Sequence, residues 1–166
     1  MALMGGLYLA AFAVAVRLTG ARGRRIGGAI AGGAMAACVV IAGAVGGEAL
    51  GWWRIPAGGG PPWWLLLWTV GAVSCAPVYL ITWRVARRFG GRGLAACILA
   101  AAVIGPPRDY AIAAAFPDWI AFSPGLAPVL ADAAVYALLV SAGHAVMSLA
   151  AGPSRHQPTT ASARCG

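Results

Sequence analysis

The chain contains no lysine and no asparagine, and one glutamate among 166 residues. Its acids are Glu48, Asp109, Asp118 and Asp132, and charged residues of both signs make up only 10% of it. A soluble domain carries about 25% charged residues. With 61% hydrophobic residues and a mean hydropathy of +0.81, the chain has more apolar surface than a soluble core of this size can hide. The bilayer must act as its solvent. Paired cysteine motifs are also missing. Cys38, Cys75, Cys97 and Cys165 form no CxxC, and the first three lie inside apolar runs, where they are expected as small buried hydrophobes. Cys165 is next to last, which is the wrong place for a prenylation box. No phosphate loop, nucleophilic triad or metal-ligand spacing occurs, and His144 with His156 does not make a zinc site. No metal and no cofactor is therefore expected.

What is abundant is arginine, twelve residues giving a net charge of +8. Such a balance raises the question of nucleic acid. The arginines are instead grouped in short clusters between apolar runs, as membrane topology demands, so the expected partner is the lipid bilayer and not nucleic acid. Sorted by loop, ten stand on one side (17, 22, 24, 25, 84, 87, 88, 92, 155 and 164), and Arg54 and Arg108 stand on the other. The excess places the first loop, the third loop and the tail in the cytoplasm. The expected location is the cell inner (cytoplasmic) membrane, with the N-terminus outside and the C-terminus inside.

Five apolar runs fit that count. Met1 to Leu18 has its positive charge after the apolar stretch, unlike a signal peptide, and reads as a retained span. Ile26 to Gly47 carries Gly28, Gly32, Ala36, Gly43 and Gly47, mostly four residues apart. That spacing makes a small-residue seam for a partner helix, either within the chain or in a second copy through Gly28 and Gly32. Residues 48–62 form a loop, with Trp52, Trp53, Trp63, Trp64 and Trp68 as an interfacial belt or an aromatic wall around a ligand. Trp63 to Trp83 is the third run, kinked at Pro77, with Ser74 close enough to satisfy a freed carbonyl. Leu94 to Phe116 is the fourth, and Leu126 to Ala150, with Asp132, Tyr136 and His144, the fifth. His144 reads as a hydrogen-bonded packing residue near the cytoplasmic end. The expected fold is an all-α polytopic membrane helical bundle of about five transmembrane helices. It occupies residues 1–151, followed by a disordered cytoplasmic tail over 152–166.

The fourth run, LAACILAAAVIGPPRDYAIAAAF, carries most of the functional interest. If it stops at Pro107 it is about 21 Å long, short of a ~30 Å hydrocarbon core, and Arg108 and Asp109 are wet. If it continues to Phe116 it is about 34 Å long and the two charges are inside. Asp109 and Asp132 then lie at matching depths, roughly 10 Å below the outer surface, where they can meet. Pro106 and Pro107 cannot donate to the carbonyls of Ala102 and Val103. The residues before each proline are pushed from helical angles, so a break at Gly105–Pro107 is expected, with the helix restarting at Pro107. Broken helices at that depth line cavities or substrate sites. The candidate binding residues are Glu48, Arg108, Asp109, Tyr110, Asp132 and Tyr136, with Asp109 and Asp132 as candidate catalytic acids. Arg108 is expected to cover the freed carbonyls or to pair with Asp132 or Glu48.

Several strings occur together: GEALGWWRIP, SCAPVYLITWRVARRFGGRG, GPPRDY, FPDWIAF and APVLADA. Over residues 47–153 they resemble a family of small bacterial multi-pass membrane proteins. A composition rich in residues with GC-rich codons agrees with a bacterial source. The resemblance implies a membrane protein and no particular activity. More distantly, sparse acids and many tryptophans are similar to the membrane cyclases and hydratases of carotenoid and terpenoid pathways. None of their motifs is matched here, so no catalytic residue is carried over. Three functions remain open: a membrane protein whose polar cluster fixes helix packing, an enzyme acting on a lipid or isoprenoid by acid catalysis, and a small transporter or accessory subunit.

Overall fold

A computed structural model describes residues 2–55 and 61–152. Among the described residues the chain is all-α apart from two short strands. The elements are α1 (Ala2–Thr19), α2 (Gly23–Ala49), β1 (Trp53–Arg54), α3 (Pro61–Ala115), β2 (Ala121–Phe122) and α4 (Leu126–Ala151). Among the described residues three helical stretches are long and apolar enough to cross a membrane: Gly23–Ala49, Trp68–Ala115 and Leu126–Ala151. A shorter apolar helix covers Ala10–Thr19. Helix is the form such sequences must take in lipid, because it satisfies every backbone group within one segment. The arrangement of residues is inverted relative to a soluble protein. Leu18, Ile30, Val103, Ile104, Leu138 and Leu149 point outward, while Ala29, Ala36, Ala37 and Ala76 are buried. Small residues let helix backbones approach where water gives no drive to cluster large ones.

Helix α2 packs along both α3 and α4. A Cβ on Gly28 would meet the Met147 carbonyl and Ala151. One on Gly32 would meet the Gly143 carbonyl and the Tyr79 ring. The seam foreseen on α2 is thus filled by the chain's own helices. Tyr79 is fully buried, and its hydroxyl donates to the Leu139 carbonyl at 2.8 Å. One turn along, Thr82 Oγ1 lies 3.3 Å from His144 Nδ1, so His144 is the buried, hydrogen-bonded residue expected.

Helix α3 does not run straight. Gly90 has φ 64° and ψ −151°, outside helical space and in a region open to glycine. Ile98 and Ala101, beyond it, pack on the same core as Ala76, Tyr79 and Leu80 before it, so the segment turns back on itself in two arms. The break expected at Gly105–Pro107 is absent. Gly90 is the non-helical residue within α3, and Pro77, Pro106 and Pro107 all sit inside helix. Proline's own φ is near the helical value, and a packed helix tolerates the missing N–H. Here Gly105 and Pro106 are buried, and Gly105 leaves the space that the Tyr136 ring fills. Ser74 bonds to the Gly71 carbonyl at 3.1 Å, not to the one Pro77 frees. The cysteines also differ from expectation. Cys38 is exposed, with Cys75 and Cys97 half-buried, because the bundle is thin and much of each helix faces outward.

The two ends of the bundle differ chemically. Arg84 Nη1 donates to the Leu18 carbonyl at 2.9 Å, and Arg24 Nε to the Ala150 carbonyl at 3.1 Å. These bonds bring the end of α1, the start of α2, the turn of α3 and the end of α4 to one arginine-rich end. At the other end β1 pairs antiparallel with β2, Trp53 opposite Phe122 and Arg54 opposite Ala121. Ser123 ties the same loops together, its N–H to the Trp52 carbonyl at 2.9 Å and its Oγ to the Gly51 carbonyl at 2.6 Å. The expected tail falls almost wholly on residues 153–166, outside the described residues.

Candidate functional site

The candidate residues converge at the acid-bearing end, where the last turns of α3 meet the first turns of α4. Asp109, on α3, is held from two sides. Its Oδ1 accepts from Arg108 Nε at 3.0 Å, and its Oδ2 accepts from the Tyr136 hydroxyl at 2.9 Å. Arg108 is the more exposed partner and also lies over the Tyr136 ring, 5.8 Å from its centroid. Tyr136 reaches Asp109 because its ring lies flat against Gly105, where any Cβ would overlap it. Arg108 pairs with its sequence neighbour and stands within electrostatic reach of Asp132. The Tyr136 hydroxyl is directed to Asp109, although Asp132 shares its helix face.

Asp132 is treated differently. It is 7% exposed, and its Oδ2 has no hydrogen-bond partner among the described residues. The Tyr110 hydroxyl is buried and likewise without a partner. Asp109, Arg108 and Asp132 are within electrostatic reach of one another, and so are Tyr110 and Asp132. An unpartnered buried polar atom costs about 1–3 kcal/mol, and more when it is charged. A carboxyl oxygen beside a hydroxyl has the capacity to receive a cation or an N–H or O–H donor, and to return a hydrogen bond from the tyrosine.

An aromatic wall borders this pair. Tyr110 stacks on Phe122 with centroids 4.3 Å apart and planes 18° apart. Phe122 meets the edge of Trp53 at 5.8 Å. Trp53 is anchored by its Nε1, which donates to the Ala44 carbonyl at 3.0 Å, and by Gly47, where a Cβ would overlap the indole. Sequence reasoning assigns Phe122 to the interface and offers Trp53 a ligand wall only as an alternative. The signal for their pairing is the short WIAF run between turn residues, which has the composition of a strand. Glu48 is exposed at the end of α2 and makes no ion pair among the described residues. Among the described residues no group of three or more His, Cys, Asp or Glu is placed to hold a metal ion. No family model matches the chain, and no curated protein and no solved structure matches it.

Proposed function

We propose that the chain is an integral membrane protein of five spans whose cluster around Asp132 binds a small ligand bearing a cationic, N–H or O–H group. The two arms of α3 supply two spans. Each is about 40 Å long at 1.5 Å per residue, enough for a ~30 Å hydrocarbon core, whereas the unbent helix would be more than twice that thickness. With α1, α2 and α4 the count is five, and the two termini lie on opposite sides. The arginine-rich end faces the cytoplasm by charge bias, which sets the protein in the cytoplasmic membrane, N-terminus outside, and puts Asp132 in the outer half. The resemblance to small bacterial multi-pass proteins agrees with this reading.

The observation that carries ligand binding is that the Oδ2 of Asp132 and the hydroxyl of Tyr110 are both buried without a hydrogen-bond partner among the described residues, within electrostatic reach of each other. A cluster serving packing alone is expected to satisfy its members, as Arg108, Asp109 and Tyr136 satisfy one another. Those three hold one another in place, and Asp132 and Tyr110 face the ligand. Untargeted lipid and metabolite profiling of a deletion strain tests the reading. Wild-type chain is expected to restore the profile and Asp132→Asn, at equal membrane abundance, to fail. Full restoration by Asp132→Asn would end the ligand reading. A reporter fused after Gly152 is expected on the cytoplasmic side, and the opposite result would overturn the orientation.

The stacked Tyr110–Phe122 pair favours a second reading, in which the ligand is an isoprenoid and Asp132 is a general acid. Its carboxyl proton would pass to an alkene carbon, whose π electrons form the new C–H bond. The cation left on the neighbouring carbon would sit against the aromatic faces, and loss of a proton from the carbon next to it to the Asp132 carboxylate would form the product alkene and restore the acid. An accumulated alkene precursor with a missing isomerised or cyclised product marks this reading. A ligand lost without any product change leaves binding alone.

A further inference from the structure

The arginines at the other end of the bundle are not equivalent. Arg24 and Arg84 cap the carbonyl ends of α4 and α1, where a cation suits the helix dipole. Arg25 and Arg87 do neither. They come from α2 and from the first arm of α3, and both lie over the ring of Trp83, with guanidinium carbons 4.6 and 4.8 Å from its centroid. The two cations are therefore held no more than about 9 Å apart by one buried side chain. A guanidinium that lays its face on a ring keeps its in-plane N–H groups pointing outward. Among the described residues neither guanidinium takes part in a hydrogen bond or an ion pair.

Among the described residues no acid neutralises the pair. The first turn of α2 has no acid, although Arg24 and Arg25 sit there at the positive end of the helix dipole. Three of the four acids, Glu48, Asp109 and Asp132, lie toward the far end of the bundle, and Asp118 is in the loop between α3 and α4 at that same end. We propose that Arg25 and Arg87, fixed by Trp83, bind the phosphate of an anionic phospholipid at this end of the bundle. Two guanidiniums brought to one ring from two helices offer N–H groups to a phosphate, and basic pockets between membrane helices hold such headgroups. Both arginines stand on helices long and apolar enough to cross a membrane, which favours a lipid over a free anion.

Charge bias in topology is the competing account of these arginines, and lysine serves it equally well. Lysine does not reproduce the stacked, forked geometry. The test therefore uses Arg25→Lys/Arg87→Lys in the full chain, purified in mild detergent and incubated with phosphatidylglycerol or phosphatidylcholine before native mass spectrometry. Wild-type chain is expected to retain phosphatidylglycerol about tenfold over phosphatidylcholine. The double variant is expected to fall to within about twofold, with reporter topology and lipid-free thermal stability unchanged. Arg87→Lys alone, at an exposed position, is expected to lose part of the preference, and Arg88→Lys/Arg92→Lys to keep it. Undiminished selectivity in the double variant, equal loss in the Arg88/Arg92 control, or displacement of the lipid by millimolar inorganic phosphate would each overturn the proposal.

Discussion

The two ends of the bundle hold buried polar side chains in opposite ways. Toward the arginine-rich end each buried polar group has a protein partner: Tyr79 bonds the Leu139 carbonyl and Thr82 meets His144. At the acid-bearing end both oxygens of Asp109 are bonded, while the buried Oδ2 of Asp132 and the buried hydroxyl of Tyr110 have no partner among the described residues. In a medium without water, completed bonds fix the packing and uncompleted ones oppose it. The difference separates completed polar contacts from buried atoms left without a partner, and removing the two kinds of group should move stability in opposite directions.

The largest loss belongs to the completed contacts. A Cβ at Gly143 would overlap the Tyr79 ring and hydroxyl. Gly143→Ala must push the ring away from α4 and leave the buried hydroxyl unpaired. Overpacking and a lost buried bond together give about 3 kcal/mol or more. Thermal unfolding of the purified chain in detergent reads this as a clear fall in midpoint. An unchanged midpoint would mean that the Tyr79 contact is not what joins α3 to α4.

The next pair of changes compares a completed bond with an uncompleted one inside the acid-bearing end. Tyr136→Phe removes the donor to Asp109 Oδ2 and is expected to cost about 1 kcal/mol. Asp132→Leu removes a buried carboxyl with an unpartnered oxygen and is expected to leave stability unchanged or to raise it by about 1 kcal/mol. The same variant should lose the deletion-strain rescue. A destabilised Asp132→Leu would show that Asp132 holds the packing together, and would break the contrast between the two ends.

The sequence makes part of this contrast legible. Composition and run length give the long apolar helices, and the positions of Asp109 and Asp132 near the ends of adjoining runs put both at the same end of the bundle. The behaviour of Gly105–Pro107 is not legible. Local rules at two prolines predict a break, but the space beside Gly105 is filled by Tyr136, from an element 31 residues away in sequence, and that packing keeps the helix whole. The turn at Gly90 is hidden for a related reason. FGGRG lies inside a basic loop where any of three glycines fits, and the positive φ appears only once both arms are packed. Trp83 is hidden too. It stands at the end of the third apolar run, and nothing local says that arginines from two helices will share its ring.

The smallest expected effect sets the boundary of the acid-bearing site. Glu48 belongs to the set drawn from sequence, because it ends α2 on the same side as Asp109 and Asp132. In the fold it is exposed and outside the ion pairing of Arg108 and Asp109. An exposed carboxylate without a partner contributes little, typically under about 0.5 kcal/mol. Glu48→Gln should therefore leave the unfolding midpoint in place and restore the deletion strain as wild type does. The comparison with Asp132→Asn is direct, since both changes replace one carboxylate by an amide at the same end of the molecule. If Glu48→Gln fails to restore the strain, the ligand reaches beyond the space beside Tyr110 to the end of α2, and the site extends past the aromatic wall of Trp53 and Phe122. If it restores the strain fully, recognition is confined to the buried side of that wall, where Asp132 is the carboxylate with an oxygen to spare.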